Sequence, residues 1–542
     1  MRGLLLAVCA VLALPVLSVL GSWLGTDAQA LAVLRHQAQT VLPGYALESL
    51  WLSLAVAVGV ALLGVSTAAL VALCRFPGRG VAEWALLLPM AMPAYVLAYA
   101  YTDALQYSGP VQTWLRERTG AQGALWPDIR SLGGAVALFT LCLYPYVYLL
   151  TRVALGERAV HLLEAARLMG AGALRRVLRV ALPLARPAVM AGVALALMET
   201  LADYGVGAYF GLGTFTTGIY RAWLSMNDAV AAAQLSSVLL VVVALLLALE
   251  RRAQARLRFA AGRGTPGREA QPMPLHGLAA ALAVLWCALP VLLGFVLPVG
   301  WLGAMLVREW AAGAEGWSWL RFADWAWASF RLAALAAVLA TALALALGFA
   351  LRRPAAGGAT GRALPLAARL LSLGYAVPGA VVAIGLMLPV GWLQARWPQL
   401  GAAGFVTGTL AGVVLAYLVR FSAVALQSVE AGYARVPMAV DETTRMLGAG
   451  AGRLFWQVHL PLMRRPALAA ALLVFVDTMK ELPATLVLRP FGSDTLAVVA
   501  YNLARDERLA EAALPSVAIV LVGLLPVVML ARTMNRPGAD AA

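Results

Sequence analysis

Apolar runs of about twenty residues recur along the chain and limit what it can fold into. A helix needs about 20 consecutive apolar residues to cross the hydrocarbon core of a bilayer. Runs of this kind cover roughly residues 4–24, 51–74, 82–105, 133–155, 187–211, 229–249, 277–306, 327–351, 366–394, 404–427, 467–488 and 513–531. A chain that is 62% hydrophobic and 12% charged cannot cover them with polar surface in water. The sequence therefore predicts an all-α polytopic membrane protein with 12 transmembrane helices.

Arginine placement predicts the orientation of these spans. Most of the 41 basic residues fall in loops that are cytoplasmic if the N-terminus is cytoplasmic. The opposite loops mix charges of both signs, as in Arg505-Asp506-Glu507-Arg508. The first run resembles a signal peptide, and we interpret it as a retained span. Both termini are therefore predicted to be cytoplasmic. The arginines are dispersed among spans, which argues against nucleic acid as a partner and favours the lipid bilayer.

A basic segment rich in Gly and Pro divides the chain into two halves. Residues 251–275 read as a cytoplasmic linker between a first repeat, residues 1–250, and a second repeat, residues 276–542. Each half holds six of the apolar runs. Because six is even, both halves enter the membrane in the same direction, and the sequence predicts parallel repeats.

One polar loop occurs in each half with the same spacing. In the first loop, residues 158–186, Glu164 and Gly170 are followed by a basic stretch and Leu182-Pro183. In the second loop, residues 435–465, Glu442, Gly448 and Leu460-Pro461 repeat this pattern 278 positions later. Each reads as helix, turn and helix, with Leu-Pro ending the second stretch and starting the next span. A basic amphipathic helix on the anionic inner leaflet is the alternative. Two matched copies favour two contact points for a partner.

Several kinds of chemistry have no support in the sequence. Lys480 is the only lysine and Glu481 follows it, so the chain contains no Walker A phosphate loop. Its four cysteines lack metal-ligand spacing, and its four histidines form no sequence cluster. We therefore expect no catalytic residue, no metal site and no cofactor bound by this chain. Any ATP that drives it must bind another subunit.

The repeated loop resembles the EAA loop of ABC importer permeases. In that family the loop forms a coupling helix that docks in a groove of the ATPase subunit. The resemblance assigns this role to Glu164, Ala165, Ala166, Gly170, Leu182 and Pro183 in the first loop, and to Glu442, Gly448, Leu460 and Pro461 in the second. Thr443 and Thr444 replace the expected alanines of the second copy. The resemblance implies the type I importer permease fold and two ATPase subunits carrying ATP and Mg on the cytoplasmic side. It also implies an external substrate-binding protein.

Further segments resemble fused, two-repeat ferric-iron permeases. They are Glu199-Thr-Leu-Ala-Asp-Tyr-Gly205, residues 213–223, and Lys480-Glu-Leu-Pro-Ala-Thr485 with the residues that follow. Thiamine, polyamine, sulfate and phosphonate permeases share much of this frame, so these cargoes stay open. The loops around residues 215–223 and 491–506 suit docking of the binding protein. A membrane-interface aromatic belt is the other explanation for Tyr220 and Trp223.

Ionisable residues interrupt two corresponding apolar runs. The fifth run carries Glu199 and Asp203, and the eleventh carries Asp477, Lys480 and Glu481. Their spacings predict that each set shares one helical face. One hypothesis is that they line a translocation pathway, where carboxylates suit a hard cation. The alternative is an interhelical polar network. A different class of protein also fits these acids, namely a proton-coupled secondary transporter with parallel repeats.

Overall fold

The computed structural model describes residues 2–25, 28–158, 166, 168–261, 272–311, 318–353 and 359–534. In this part, 11 helices are long and apolar enough to cross a membrane, and a bent helix pair brings the number to 12 if it is one span. We number these spans α1 to α12 in chain order. They are α1 Arg2–Leu24, α2 Leu42–Leu73, α3 (the pair Arg79–Ala91 and Ala94–Thr119), α4 Leu132–Gly156, α5 Val177–Ala202, α6 Ala229–Arg252, α7 Gly277–Ala311, α8 Trp319–Arg352, α9 Gly379–Arg396, α10 Leu410–Tyr433, α11 Ala451–Met479 and α12 Leu509–Leu530. The predicted all-α polytopic fold is confirmed.

Shorter elements connect the spans. The helices are Ala28–Gln39, Gly205–Tyr209, Phe215–Tyr220, Ala359–Leu371, Ala402–Gly408, Met438–Met446, Pro483–Leu488 and Leu496–Arg505. Two strands of two residues, β1 Cys74–Arg75 and β2 Met273–Pro274, pair in parallel. The helix of α6 continues to Ala261, into the segment expected to be linker. The 1–250, 251–275 and 276–542 boundaries stay a prediction.

The described chain forms two compact units that interleave along the sequence. Unit 1 contains Met1–Gln37, Ile219–Leu240 and Ser318–Val499, and unit 2 contains Ala38–Gly218, Val241–Trp317 and Ala500–Ala542. Span α1 therefore belongs with the later spans α8 to α11, whereas α7 and α12 belong with α2 to α5. This grouping has no signal in the hydropathy pattern.

Close helix crossings hold unit 2 together. Span α4 packs along both α2 and α5. A Cβ atom on Gly64 of α2 would lie 2.6 Å from Val147 of α4, and one on Gly192 of α5 would lie 2.6 Å from the same residue. Small residues let helix backbones approach closely, which is the main source of packing energy between apolar helices in lipid. A larger residue at either glycine would push the helices apart.

In unit 1, α8, α10 and α11 pack against one another, and α1 packs along α9. A Cβ on Gly348 of α8 would lie 2.8 Å from the Tyr433 ring of α10. The polar side chain of Arg2 at the start of α1 donates to the carbonyl of Arg353 at 3.1 Å. A small residue thus lies at a close helix crossing in this unit as well.

A proline stands at a helix boundary in α3 and at the start of α9. The two helices of α3 meet at 89°, and Pro93 precedes the second helix with an extended backbone. Pro378 precedes α9 in the same way, after a short turn at Gly374–Ala376. Proline restricts the residue before it and cannot donate a backbone hydrogen bond, which favours a helix boundary at both points.

The predicted break at the two Leu-Pro pairs is wrong. Helix runs continuously from Val177 to Ala202 and from Ala451 to Met479, so these spans begin earlier and end earlier than the apolar runs. A π-helical turn, Val177–Ala181 or Leu454–His459, comes directly before each Leu-Pro. Pro183 and Pro461 then fall in the first turn of the α-helical part, where a missing N–H is tolerated.

Candidate functional site: two coupling loops and an internal charge network

The second loop begins with the helix Met438–Met446, which a left-handed glycine ends. Gly448 has φ of 79°, and the N–H of Ala449 donates to the carbonyl of Thr444 at 3.2 Å. This is the hydrogen bond of a Schellman motif, which satisfies a carbonyl at the helix C-terminus. Glu442 lies in the middle of this short helix with an exposed side chain. The sequence therefore placed both the helix and its glycine stop correctly.

The first loop has the same turn. Gly170 has φ of 78°, and the N–H of Ala171 donates to the carbonyl of Ala166 at 3.0 Å. Ala166 is buried. Glu164 and Ala165, two of the predicted coupling residues, lie outside the described residues. Where both loops are described, the backbone turn agrees within 1° in φ at the glycine.

Two exposed apolar side chains directly precede the glycine in each loop. Leu168 and Met169 are 89% and 80% exposed, and Met446 and Leu447 are 88% and 81% exposed. Large side chains exposed to this degree at matched loop tips indicate a contact surface for another molecule. We call these four residues the tip residues. Sequence reasoning missed them, although their recurrence directly before both glycines was a usable signal.

The remaining predicted coupling residues lie where each loop enters its span. Leu182 and Pro183 begin the α-helical part of α5, and Leu460 and Pro461 begin that of α11. Each pair therefore connects a tip to a membrane-spanning helix through the π-helical turn before it.

The intramembrane acids do not share one helical face, contrary to the prediction. Span α5 ends at Ala202 and α11 ends at Met479, so Asp203 and Glu481 lie beyond the helix ends. The Asp203 carboxylate accepts a hydrogen bond from the N–H of Val206 at 2.8 Å. That N–H is in the first turn of the helix Gly205–Tyr209, whose positive end favours a carboxylate. Asp203 follows the end of α5 and caps the next helix, so it does not continue the helical face that carries Glu199.

Glu481 makes the corresponding cap in the second repeat. Its carboxylate accepts from the N–H groups of Ala484 at 2.9 Å and Thr485 at 3.1 Å, and from the Thr485 hydroxyl at 2.5 Å. Arg420 of α10 donates to the same carboxylate at 3.0 Å. Both charged side chains are buried. Every lone-pair direction of Glu481 therefore points to a protein donor, which favours the polar-network interpretation for this residue.

Asp477 and Lys480 form a more accessible pair. Lys480 Nζ lies 3.0 Å from Asp477 Oδ1, and 32% of the lysine side chain is exposed. Glu199, at the aligned position of the first repeat, is half-buried in α5. Among the described residues, no group of three or more His, Cys, Asp and Glu is placed to hold a metal ion. The role of Glu199, Asp203 and Asp477 in a translocation pathway stays a prediction.

The segments after α5 and α11 repeat one further contact. The N–H of Phe215 donates to Ser49 Oγ of α2 at 3.2 Å, and the N–H of Leu496 donates to Ser329 Oγ of α8 at 2.8 Å. Each unit thus fixes the start of a short helix in the same way. In unit 1 the loop before that helix presents Phe491, which is fully exposed.

Comparison with known proteins agrees with these repeats. Residues 62–259 and 360–536 each match the family described as "Binding-protein-dependent transport system inner membrane component". The chain belongs to this family of ABC importer permeases, and it carries two copies of the family unit. It is thus a multi-pass inner-membrane transport component, and its homologues are transport permease components.

Individual relatives carry different cargo names. The chain is 24% identical over 489 residues to the Fe(3+)-transport system permease protein FbpB 2 of Haemophilus influenzae, covering 89% of this chain and 88% of that protein. It is 29% identical over 170 residues to the putative 2-aminoethylphosphonate transport system permease protein PhnV of Salmonella typhimurium, covering 31% of this chain. It is 30% identical over 147 residues to the molybdenum transport system permease protein ModB of Escherichia coli, covering 27% of this chain. The chain spans 62% of the length of each of these two shorter relatives.

Proposed function

We propose that this chain is the complete membrane channel of an ATP-driven importer, and that its cargo is ferric iron. The observation that carries the importer mechanism is the matched pair of loops, each with a left-handed glycine and two exposed apolar tip residues. ATP closes a pair of separate ATPase subunits, which bind ATP and Mg, and their movement displaces both loops. The two halves then change between inward-facing and outward-facing states around the cargo.

The ferric cargo rests on two supports. The relative that matches along nearly the whole chain is named for Fe(3+) transport. The acids Glu199, Asp203 and Asp477 offer hard oxygen donors that suit a ferric ion better than a soft metal. Phosphonate and molybdenum relatives, which match less than a third of the chain, favour an oxyanion as the second candidate. Thiamine, polyamine and sulfate stay further alternatives from the sequence resemblance.

We also propose the partners of the chain and its orientation in the membrane. Both termini and both coupling loops face the cytoplasm, where two ATPase subunits bind. A periplasmic binding protein delivers cargo to the outer segments that contain Phe215 and Phe491. These sides follow from the arginine distribution of the loops.

Replacing the apolar tip residues with aspartate tests the ATPase contact. Met446→Asp with Leu447→Asp, and separately Leu168→Asp with Met169→Asp, should abolish co-purification of the ATPase without reducing the amount of chain in the membrane. Leu24→Asp is the matched control. Leu24 is also highly exposed, but it lies at the C-terminal end of α1 and outside both coupling loops. Retention of the ATPase by both double variants would refute the docking role of the tips.

Uptake in vesicles tests the cargo and the driving force. Vesicles with the chain, its ATPase and its binding protein should take up ferric iron only with ATP. Uptake driven by a proton gradient without the ATPase would instead establish a secondary transporter. Glu199→Gln with Asp477→Asn should lower iron uptake while leaving the assembly intact. Unchanged iron uptake in that variant would exclude the acids from the pathway, and molybdate or phosphonate uptake would replace the ferric assignment.

A further inference from the structure

Three charged or titratable side chains form a buried cluster directly beneath the second coupling loop. Arg352 ends α8, Asp441 lies in the helix Met438–Met446, and His459 lies in α11. Arg352 Nε donates to Asp441 Oδ2 at 2.8 Å, and His459 Nε2 lies 3.1 Å from Asp441 Oδ1. Their side chains are 7%, 2% and 0% exposed respectively. We call this set the joint cluster.

Arg352 also binds the backbone that leads into the loop. Its terminal nitrogens donate to the carbonyls of Tyr433 at 3.0 Å, Val436 at 2.7 Å and Pro437 at 2.8 Å. A guanidinium presents five donors in a fixed plane, so it can hold four acceptors in one orientation. The end of α10, the turn after it and the loop helix are thereby fixed to the end of α8.

His459 connects the same aspartate to the span that follows the loop. Its ring packs against Phe349 at 5.1 Å and Tyr433 at 5.5 Å between ring centroids. Asp441 is thus hydrogen-bonded to Arg352 of α8 and lies in close contact with His459 of α11. Asp441 lies five and six residues before the tip residues Met446 and Leu447, so these contacts are within two helical turns of them.

The first repeat has apolar residues at all three aligned positions. The 278-residue offset of the loops aligns Asp441 with Leu163 and His459 with Ala181. The hydrogen bonds of Ser49 and Ser329 give a 280-residue offset for α2 and α8, since 329 − 49 = 280, which aligns Arg352 with Ala72. The directional contacts of the second loop therefore have no counterpart in these positions of the first.

We propose that the joint cluster makes the second coupling loop a rigid extension of α8 and α11, whereas the aligned apolar residues of the first repeat supply no such ion-pair restraint to residues 168–186. Arg352, Asp441 and His459 are positioning residues for the movement that the proposed importer mechanism requires. Buried ion pairs contribute little net stability compared with apolar packing, but they accept only a narrow range of orientations. A fused chain allows the two loops to differ in this way, so the two ATPase contacts need not respond equally.

Distances between spin labels test this proposal without any partner protein. One label pair is placed at Met446→Cys and Arg464→Cys, and the matched first-repeat pair at Leu168→Cys and Arg186→Cys. All four positions are exposed, and the four native cysteines are buried. The second-loop pair should give a narrower distance distribution than the first-loop pair. Equal widths would overturn the proposal.

Variants of the joint cluster complete the test. Asp441→Asn should broaden the second-loop distribution, and Arg352→Ala, Asp441→Leu and His459→Ala together, which copy the first repeat, should make it as wide as the first. The first-loop distribution should not change. An unchanged second-loop width in both variants would overturn the proposal, and the triple variant covers the case in which Asp441→Asn does not fold.

A transport measurement separates this inference from the proposed function. With the ATPase bound, Asp441→Asn should keep the tip contact but lower the cargo moved per ATP by about tenfold, a size typical for residues that carry coupling between sites. An unchanged ratio would overturn the coupling role. Failure of the native chain to bind any ATPase would refute the proposed function, whereas the label distances would still decide the rigidity of the loop.

Discussion

Glu507 holds a left-handed backbone with φ of 60° while its carboxylate binds Arg130 at 2.7 and 2.8 Å. Asn227, aligned with it at an offset of 280 residues, has φ of 52° in the other unit. Asparagine adopts this conformation readily, whereas glutamate pays for it with roughly 1 kcal/mol of strain. The bidentate contact with Arg130, which also donates to the Tyr209 hydroxyl at 3.2 Å, offsets that strain.

Two substitutions at Glu507 should separate strain from pairing. Glu507→Gln keeps the strain and weakens the ion pair, so it should destabilise the chain by less than about 1 kcal/mol, as for exposed pairs. Glu507→Gly also loses the pair but relieves the strain, and should be more stable than Glu507→Gln. Thermal unfolding in detergent measures both, with Asp506→Asn as the neighbouring control. A glycine variant less stable than the glutamine variant would show that φ is not strained.

The same pair predicts a pH dependence. The hydrogen bond from Arg130 holds the pKa of Glu507 below its ordinary value of 4.5. A lowered pKa in the folded state means that the stabilisation is complete above the unfolded-state pKa and is lost as pH falls through the folded-state pKa. The unfolding temperatures of the native chain and Glu507→Gln should therefore differ at neutral pH and converge in acid below the ordinary glutamate value. A constant difference across this range would contradict the assignment.

The loop glycines give a prediction with internal controls. Gly170→Ala and Gly448→Ala place a Cβ on a left-handed residue and should cost about 1 kcal/mol each through local distortion of the Schellman turn. Gly172→Ala and Gly450→Ala lie two residues later without a positive φ, and a Cβ there meets open space. Binding of the ATPase should weaken in the first pair of variants and persist in the second. Equal loss in all four would show that flexibility, and not handedness, is what the loops need.

Much of this molecule follows from local sequence physics. The length of the apolar runs predicts the spans, and the restrictions of proline account for the bend of α3 at Pro93 and the start of α9 after Pro378. Gly170 and Gly448 predict the loop turns, because only glycine adopts a left-handed backbone at low cost. Each of these features depends on a few consecutive residues.

The features that the sequence did not reveal depend on residues that are distant along the chain. Long apolar stretches separate Arg352 from Asp441, and the coupling loop separates Asp441 from His459, so no periodicity brings the three residues together. The ends of α5 and α11 were misplaced because Asp203 and Glu481 act as caps for the following helices, a competition that hydropathy does not register. The grouping of α1 with the second-half spans likewise depends on tertiary packing between apolar surfaces that all look alike in sequence.

Glu481 and Asp477 should respond very differently to neutralisation. Glu481→Gln leaves the buried Arg420 charge without its counterion, and loss of one partner of a buried pair costs about 3–5 kcal/mol. Asp477→Asn removes an accessible partner of Lys480, and such pairs are worth less than about 1 kcal/mol. Unfolding of the two variants in detergent should therefore show a large loss for the first and a small one for the second. If Glu481→Gln instead kept its stability and lost uptake, Glu481 would belong to the cargo pathway. The capping network around Thr485 and Arg420 would then be secondary to its role in transport.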